Sequence, residues 1–210
     1  DFGHTGELPS HPELLDWLAC ELRDHGWSMK HIHRLILSSS TYRQSSRIDE
    51  VANVNVDPGN RLLWRQNLRR LEAEVIRDSV LAVSGSLNPQ MTGRGVFPLL
   101  SPEVLSTQSR PGAGWDQSDE WQRSRRSIYI FVKRTLNVPL MEAFDVPSPD
   151  KPGPDRSVTT IAPQALMLLN SEFLDRNADA FSRRLMQEAG GDRHTQIGWA
   201  FRIALGRLPT

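Results

Sequence analysis

Cysteine is almost missing from this chain. Cys20 is the single thiol in 210 residues, so an intrachain disulfide is excluded and no zinc cluster can be assembled from thiolates. The redox compartment is left open by it. Lysine is scarce as well, three against 22 arginines. Arginine suits planar, bidentate pairing with carboxylates, although a GC-rich coding sequence produces the same bias. Net charge is absent: 25 basic residues balance 25 acidic ones, so no overall field favours nucleic acid or an anionic membrane. No apolar run approaches the roughly 20 residues that span a bilayer. No signal-peptide pattern is visible. The chain opens without Met at Asp1 and closes at Thr210 just after a helical pattern, and the expectation is a fragment cut at both ends.

Catalytic signatures are missing too. Without Gly-x-Ser-x-Gly, the serines at 38–40, 45, 46 and 84 have no nucleophile context. No phosphate loop or dinucleotide fingerprint occurs. Asp1-Phe2-Gly3 matches the magnesium-binding tripeptide of protein kinases, but no glycine-rich loop or His-Arg-Asp loop accompanies it.

What is present suits one globular domain able to bury a core without metals or disulfides. The apolar fraction is 38%, with six Trp and seven Phe, while 14 Pro and 14 Gly imply long irregular stretches. The dominant pattern is Asn60 to Pro89, NRLLWRQNLRRLEAEVIRDSVLAVSGSLNP. Its spacing predicts a central helix ending near Gly85, with Trp64, Leu68, Leu71, Val75 and Ala82 on the apolar face. Arg70, Glu74, Arg77, Asp78 and Leu81 form a second stripe on its flank.

Before it, Ser10 with Pro12 and Glu13 predicts a capped helix start. Leu14, Leu15, Trp17, Leu18 and Leu22 form its inner stripe, and Gly26 its C-cap. Ser28 caps a second helix with Met29, Ile32, Leu35 and Ile36 inward. Asp57-Pro58-Gly59 is a turn. Residues 87–126 show no sustained period and form a long irregular excursion. Residues 127–132 read as a strand, with Val96 to Leu100 as its partner. Val138 to Phe144 predicts a short helix, and 147–158 a proline-rich loop. Helices then start at Pro163, restart at Asn170-Ser171, and start again at Asp192, with Gly190-Gly191 and Gly206 as stops. Leu174, Ala178, Phe181, Leu185, Ile197, Ala200, Phe201 and Ala204 are expected inward. The class is mainly α, an irregular helical domain with a minor β-hairpin or short strand pair, taken as a single domain over 1–210.

Several pieces together resemble a known family. They include Ser10 to Leu18, Gly26-Trp27-Ser28 with His33-Arg34-Leu35-Ile36, Thr41 to Ser46, and Asp57 to Trp64. Arg70, Arg77-Asp78, Arg126 to Tyr129, Ala143-Phe144-Asp145, Thr159 to Asn170 and Ala204 to Arg207 follow in order. The ordered set resembles the planctomycete-specific C-terminal domain of unknown function found in cytochrome-c-associated secreted proteins, nearly end to end. The resemblance implies an extracytoplasmic, multidomain parent with a c-type haem module elsewhere. It assigns no catalytic or binding residues. This chain has no Cys-x-x-Cys-His, so no haem attachment lies within it.

Candidate chemistry is limited. His31 and His33 point about 200° apart on a helix and cannot share an ion, and His11 with Glu13 and Asp16 reads as a charged first turn; no metal site is expected. The best polar constellation is Arg70, Glu74, Arg77 and Asp78 on one helix. It is either an ordinary i,i+4 ladder or a grip on an anionic or sugar-like ligand, which Tyr42 and Arg43 would join. Trp115 and Trp121 in the excursion are candidate stacking or anchoring residues, while Trp17, Trp64 and Trp199 sit at core spacings.

The leading expectation is a non-catalytic interaction or structural module that docks on other domains of its parent. A carbohydrate- or polymer-binding or hydrolysing module, built from 87–126 over Arg70, Arg77 and Asp78, is the alternative. A third reading is DNA binding by the helix pair at 11–39, with Lys30, Arg34, Arg43 and Arg47 on phosphates. Neutral charge argues against it.

Overall fold

A computed structural model describes residues 6–47, 51–150 and 156–210. Asp1-Phe2-Gly3 and the middle of the 147–158 loop lie outside these residues. Ten α-helices are found among the described residues and almost no strand, so the protein is mainly α. None of these helices is long and apolar enough to cross a membrane. The chain divides into two compact units, residues 1–69 and 70–210.

The first unit begins with α1 (Pro12–Asp24) and α2 (Met29–Ser38), which pack as a helical hairpin. Pro12 opens α1, but the N-cap is His11 without a side-chain bond, because the Ser10 hydroxyl turns to His11 Nδ1 instead. The expected capping box does not form. At the other end Trp27 N–H donates to the Leu22 carbonyl at 2.8 Å and Gly26 N–H to that of Arg23 at 3.2 Å. This is a Schellman closure with Gly26 at φ +67°, a conformation glycine adopts without steric cost. Ser28 then caps α2 by accepting from His31 N–H. Ile32 is buried, but the stripe of α1 is not: Leu14, Leu15 and Trp17 are all about half exposed.

After α3 (Val51–Val56) the chain turns on two side chains. Asp57 accepts from the N–H groups of Arg61 (3.0 Å) and Leu62 (2.8 Å), while its carbonyl accepts from the Trp64 indole at 2.9 Å. Asn60 bridges the Arg65 N–H and carbonyl. Asn60 and Leu63 both take positive φ. These bonds satisfy donors that a helix would use, and they explain why residues 60–72 are not helical despite their apolar spacing.

In the second unit the central helix is therefore shorter, α4 (Ala73–Ser84), closed by Gly85 at φ +79°. Its orientation inverts the expected one. Leu68, Leu71 and Val75, placed inward by spacing, are exposed, whereas Ala73, Arg77, Leu81 and Ser84 are buried. The inward face carries an arginine. Around α4 come α5 (Pro102–Ser106), α6 (Glu120–Arg123), a 3-10 turn at Ser127–Tyr129, α7 (Pro139–Ala143), α8 (Ala162–Leu169), α9 (Glu172–Ala189) and α10 (Arg193–Leu205). Ala73, Leu140, Met141 and Phe144 form the core, flanked by Ile76, Val138, Met167, Leu168 and Phe173.

Helix α9 packs along α4. Arg184 on α9 donates to the Val83 carbonyl at 2.8 Å, covering the electronegative end of α4. At the other contact Ser84 Oγ donates to Asn177 Oδ1 at 2.8 Å. Ser171 and Asp192 cap α9 and α10 as expected. Helix α10 buries none of its residues, and Ala178 on α9 and Ala204 on α10 are exposed, so these faces point less inward than their spacing suggests.

The strand expected at 127–132 is the 3-10 turn followed by one parallel bridge, Val96 to Ile130. Its partner segment is the expected one, but the pairing is parallel and a hairpin does not form.

Candidate functional site

Arg77, buried in the packed face, sends Nη1 to the Arg125 carbonyl at 2.9 Å and to Ser127 Oγ at 3.2 Å, and Nη2 to the Arg123 carbonyl. Burial pushes its pKa down to about 10, with Asp78 pulling the other way; the guanidinium is still charged at neutral pH. The next residue, Asp78, accepts from the Ser127 N–H at 2.8 Å and the Ser127 hydroxyl at 2.6 Å. Arg77 and Asp78 thus grip the 123–127 segment as a pair, and a guanidinium with carbonyl acceptors is a satisfied buried ion.

One turn earlier Glu74 receives both nitrogens of Arg156 at 2.8 Å, a bidentate pair. The Arg156 bond holds the Glu74 carboxyl below its ordinary range. Arg70 is not on the helix at all. It precedes α4 and donates to Asp145 Oδ2 at 2.5 Å. Asp145, at φ +60°, also accepts from Thr159 N–H at 2.8 Å and its hydroxyl at 2.9 Å. The Thr159 N–H bond leads in holding the Asp145 carboxyl low, with Arg70 adding to it. Gln164, buried in α8, completes this corner by donating to the Ala143 carbonyl at 3.0 Å.

The constellation read from spacing as one cluster therefore disperses onto three separate segments. Trp115 packs edge-on against Phe97 with its indole N–H on the Pro98 carbonyl at 3.2 Å. Trp121, on α6, is 58% exposed. Tyr42 and Arg43 belong to the first unit, in the exposed turn after α2, where Tyr42 N–H rests on Ser39 Oγ. Trp17 and Trp199 are partly exposed rather than core residues.

Two polar centres escaped the sequence reading. Arg125, 1% exposed, gathers the carbonyls of Gln90, Thr92 and Arg94 and lies 3.9 Å over the Tyr129 ring. Its sequence neighbours carry no periodic signal, so nothing marked it. The second is on the hairpin. His31 meets Glu21 and His25 rather than His33, a grouping visible only once α1 and α2 are folded together.

Fold and site together define a mainly helical domain in which ion pairs and buried arginines fasten irregular segments to a helical core. The chain belongs to the PSD1 family of proteins of unknown function (DUF1553), whose family model matches residues 1–210. No curated protein and no solved structure gives a significant match.

Proposed function

We propose that this domain is a non-catalytic structural and interaction module of an exported multidomain protein, with a c-type haem module elsewhere in its parent. The observation that carries this reading is the use made of the α4 charges. Arg77, Asp78, Glu74 and the nearby Arg70 end on the domain's own segments, which makes them braces of the scaffold. The apolar side chains left on the α1 face, Leu14, Leu15 and Trp17, are the surface on which a partner domain would sit. The planctomycete setting, the haem and the extracytoplasmic location rest on the resemblance of the ordered motifs alone.

Arg77→Met and Leu15→Ser separate the two roles. The first is expected to lower thermal stability, and the second to leave folding intact while weakening association with the remainder of the parent chain. Turnover of any substrate by the purified domain would defeat the proposal.

Carbohydrate binding is the second reading, and Trp121 favours it, since a half-exposed ring can stack on a sugar. Titration with soluble oligosaccharides decides between the two. Saturable binding abolished by Trp121→Ala would put carbohydrate first.

A further inference from the structure

We propose that the junction of α1 and α2 is a binding site for a divalent transition-metal ion of the Zn2+ type, with Glu21, His25 and His31 as its ligands. One carboxylate oxygen, Glu21 Oε2, lies 2.9 Å from His31 Nε2 and 3.2 Å from His25 Nδ1. The three ligand atoms all fall within 4.8 Å of one another. Around a tetrahedral zinc, metal–ligand bonds near 2.0–2.1 Å place neighbouring donor atoms about 3.3 Å apart. The two observed separations are within a few tenths of an ångström of that value.

The framework that holds these atoms is set by the hairpin's own hydrogen bonds. Glu21 and His25 are one turn apart at the end of α1, so they share a face. The closure through Gly26 and Trp27 returns the chain to Ser28, whose hydroxyl caps the His31 N–H. That places His31 in the first turn of α2, with its ring stacked on His25 at 3.9 Å between centroids and 14° between planes. The stack sets both imidazoles beside the same carboxylate.

Two imidazoles and one carboxylate are a three-ligand set that leaves a fourth position to water, and imidazole suits Zn2+, Ni2+ and Cu2+. His31 Nε2 and His25 Nδ1 are the atoms facing Glu21, and His25 Nδ1 also lies 3.0 Å from the Glu21 carbonyl. Metal entry requires both nitrogens without a proton, so each ring adopts the tautomer protonated on its other nitrogen. His25 gives up its contact with the Glu21 carbonyl, and the two rings turn out of their near-parallel stack so that both lone pairs meet the ion. Partial exposure of His25 leaves the ion a path from solvent.

The test is calorimetric titration of the 210-residue chain with Zn2+, and with Co2+ as a visible-absorbing probe. One ion per chain is expected. Glu21→Gln and His31→Gln should each weaken binding by at least about tenfold, since even partners outside the coordination sphere cost that much. His33→Gln, on the exposed side of α2, should change nothing. Absence of saturable binding, or equal affinity in His31→Gln and His33→Gln, overturns the proposal. Should a variant fail to fold, nitrogen NMR of the unaltered chain decides. Stoichiometric Zn2+ must shift the ring nitrogens of His25 and His31 and spare His33; shifts elsewhere alone refute the site.

Discussion

The Arg77 guanidinium donates to the main-chain carbonyl of Arg125 at 2.9 Å, while the side chain of Arg125 reaches on to the carbonyls of residues 90, 92 and 94. Two buried arginines in series thus link α4 to the irregular 87–126 segment. Carbonyls that a sheet or helix would have paired are satisfied by guanidinium groups instead, as buried backbone acceptors must be.

Replacing Arg77 tests the first of these links. Arg77→Met removes three hydrogen bonds from a buried site and strands two carbonyls, and is expected to cost about 3 kcal/mol in urea unfolding. Arg77→Lys should recover little of that loss, because a single ammonium cannot cover the fork. A cost below about 0.5 kcal/mol, the level of an exposed ion pair, would show that Arg77 is no brace.

Asp145 offers an ordering test. Asn tolerates positive φ and can still accept from Thr159, so Asp145→Asn loses chiefly the charge on Arg70. Asp145→Ala loses both acceptor oxygens and is strained at φ +60°. Thermal midpoints should therefore fall in the order wild type, Asn, Ala; equal midpoints for the two variants would contradict the assignment.

Acid stability is tested at three of the carboxylates held low, those that tie separate segments or a turn together. The Leu62 N–H bond holds Asp57 low, the Arg156 bond Glu74, and the Thr159 N–H bond Asp145. For an acid with a lowered folded pKa, the added stability is complete above its unfolded value, roughly pH 4 for these groups. It is lost as pH falls through the lower folded value. Urea midpoints measured from pH 7 downward should be flat with respect to these groups until about pH 5 and then drop. In Asp57→Asn the drop should be shallower.

The two excursion tryptophans should separate cleanly. Trp115→Ala vacates the contact with Phe97 and Phe131 and is expected to cost about 2 kcal/mol, less than a fully buried ring. Trp121→Ala, at a largely exposed ring, should stay within about 0.5 kcal/mol. Chemical denaturation of both variants checks this, and a reversed order would mean that the exposed ring carries the packing.

Much of the fold could be read before folding was known. Ser28, Ser171 and Asp192 each cap the helix they precede, and Gly26, Gly85 and Gly206 stand at helix ends with positive φ. Such signals act within one turn of chain, so a local reading finds them. The Asn60–Leu71 half of the expected central helix does not form because Asp57 and Asn60 claim its backbone donors. Periodicity also placed the wrong face inward, since it scores Arg77 as polar regardless of what the guanidinium meets.

The motifs that carried the family resemblance show where this boundary lies. Arg70, Asp145 and Thr159 are three such pieces, widely separated in sequence and joined in one corner by hydrogen bonds. Arg77-Asp78 and Ser127 are another such set. The residue sequence alone determined that the protein is mainly α, where its capped helices begin and end, and that Cys20 forms no disulfide within the chain. Only the tertiary structure decided which charges are braces and which histidines meet. Pairing across dozens of residues depends on how the helices pack, and no local spacing encodes that.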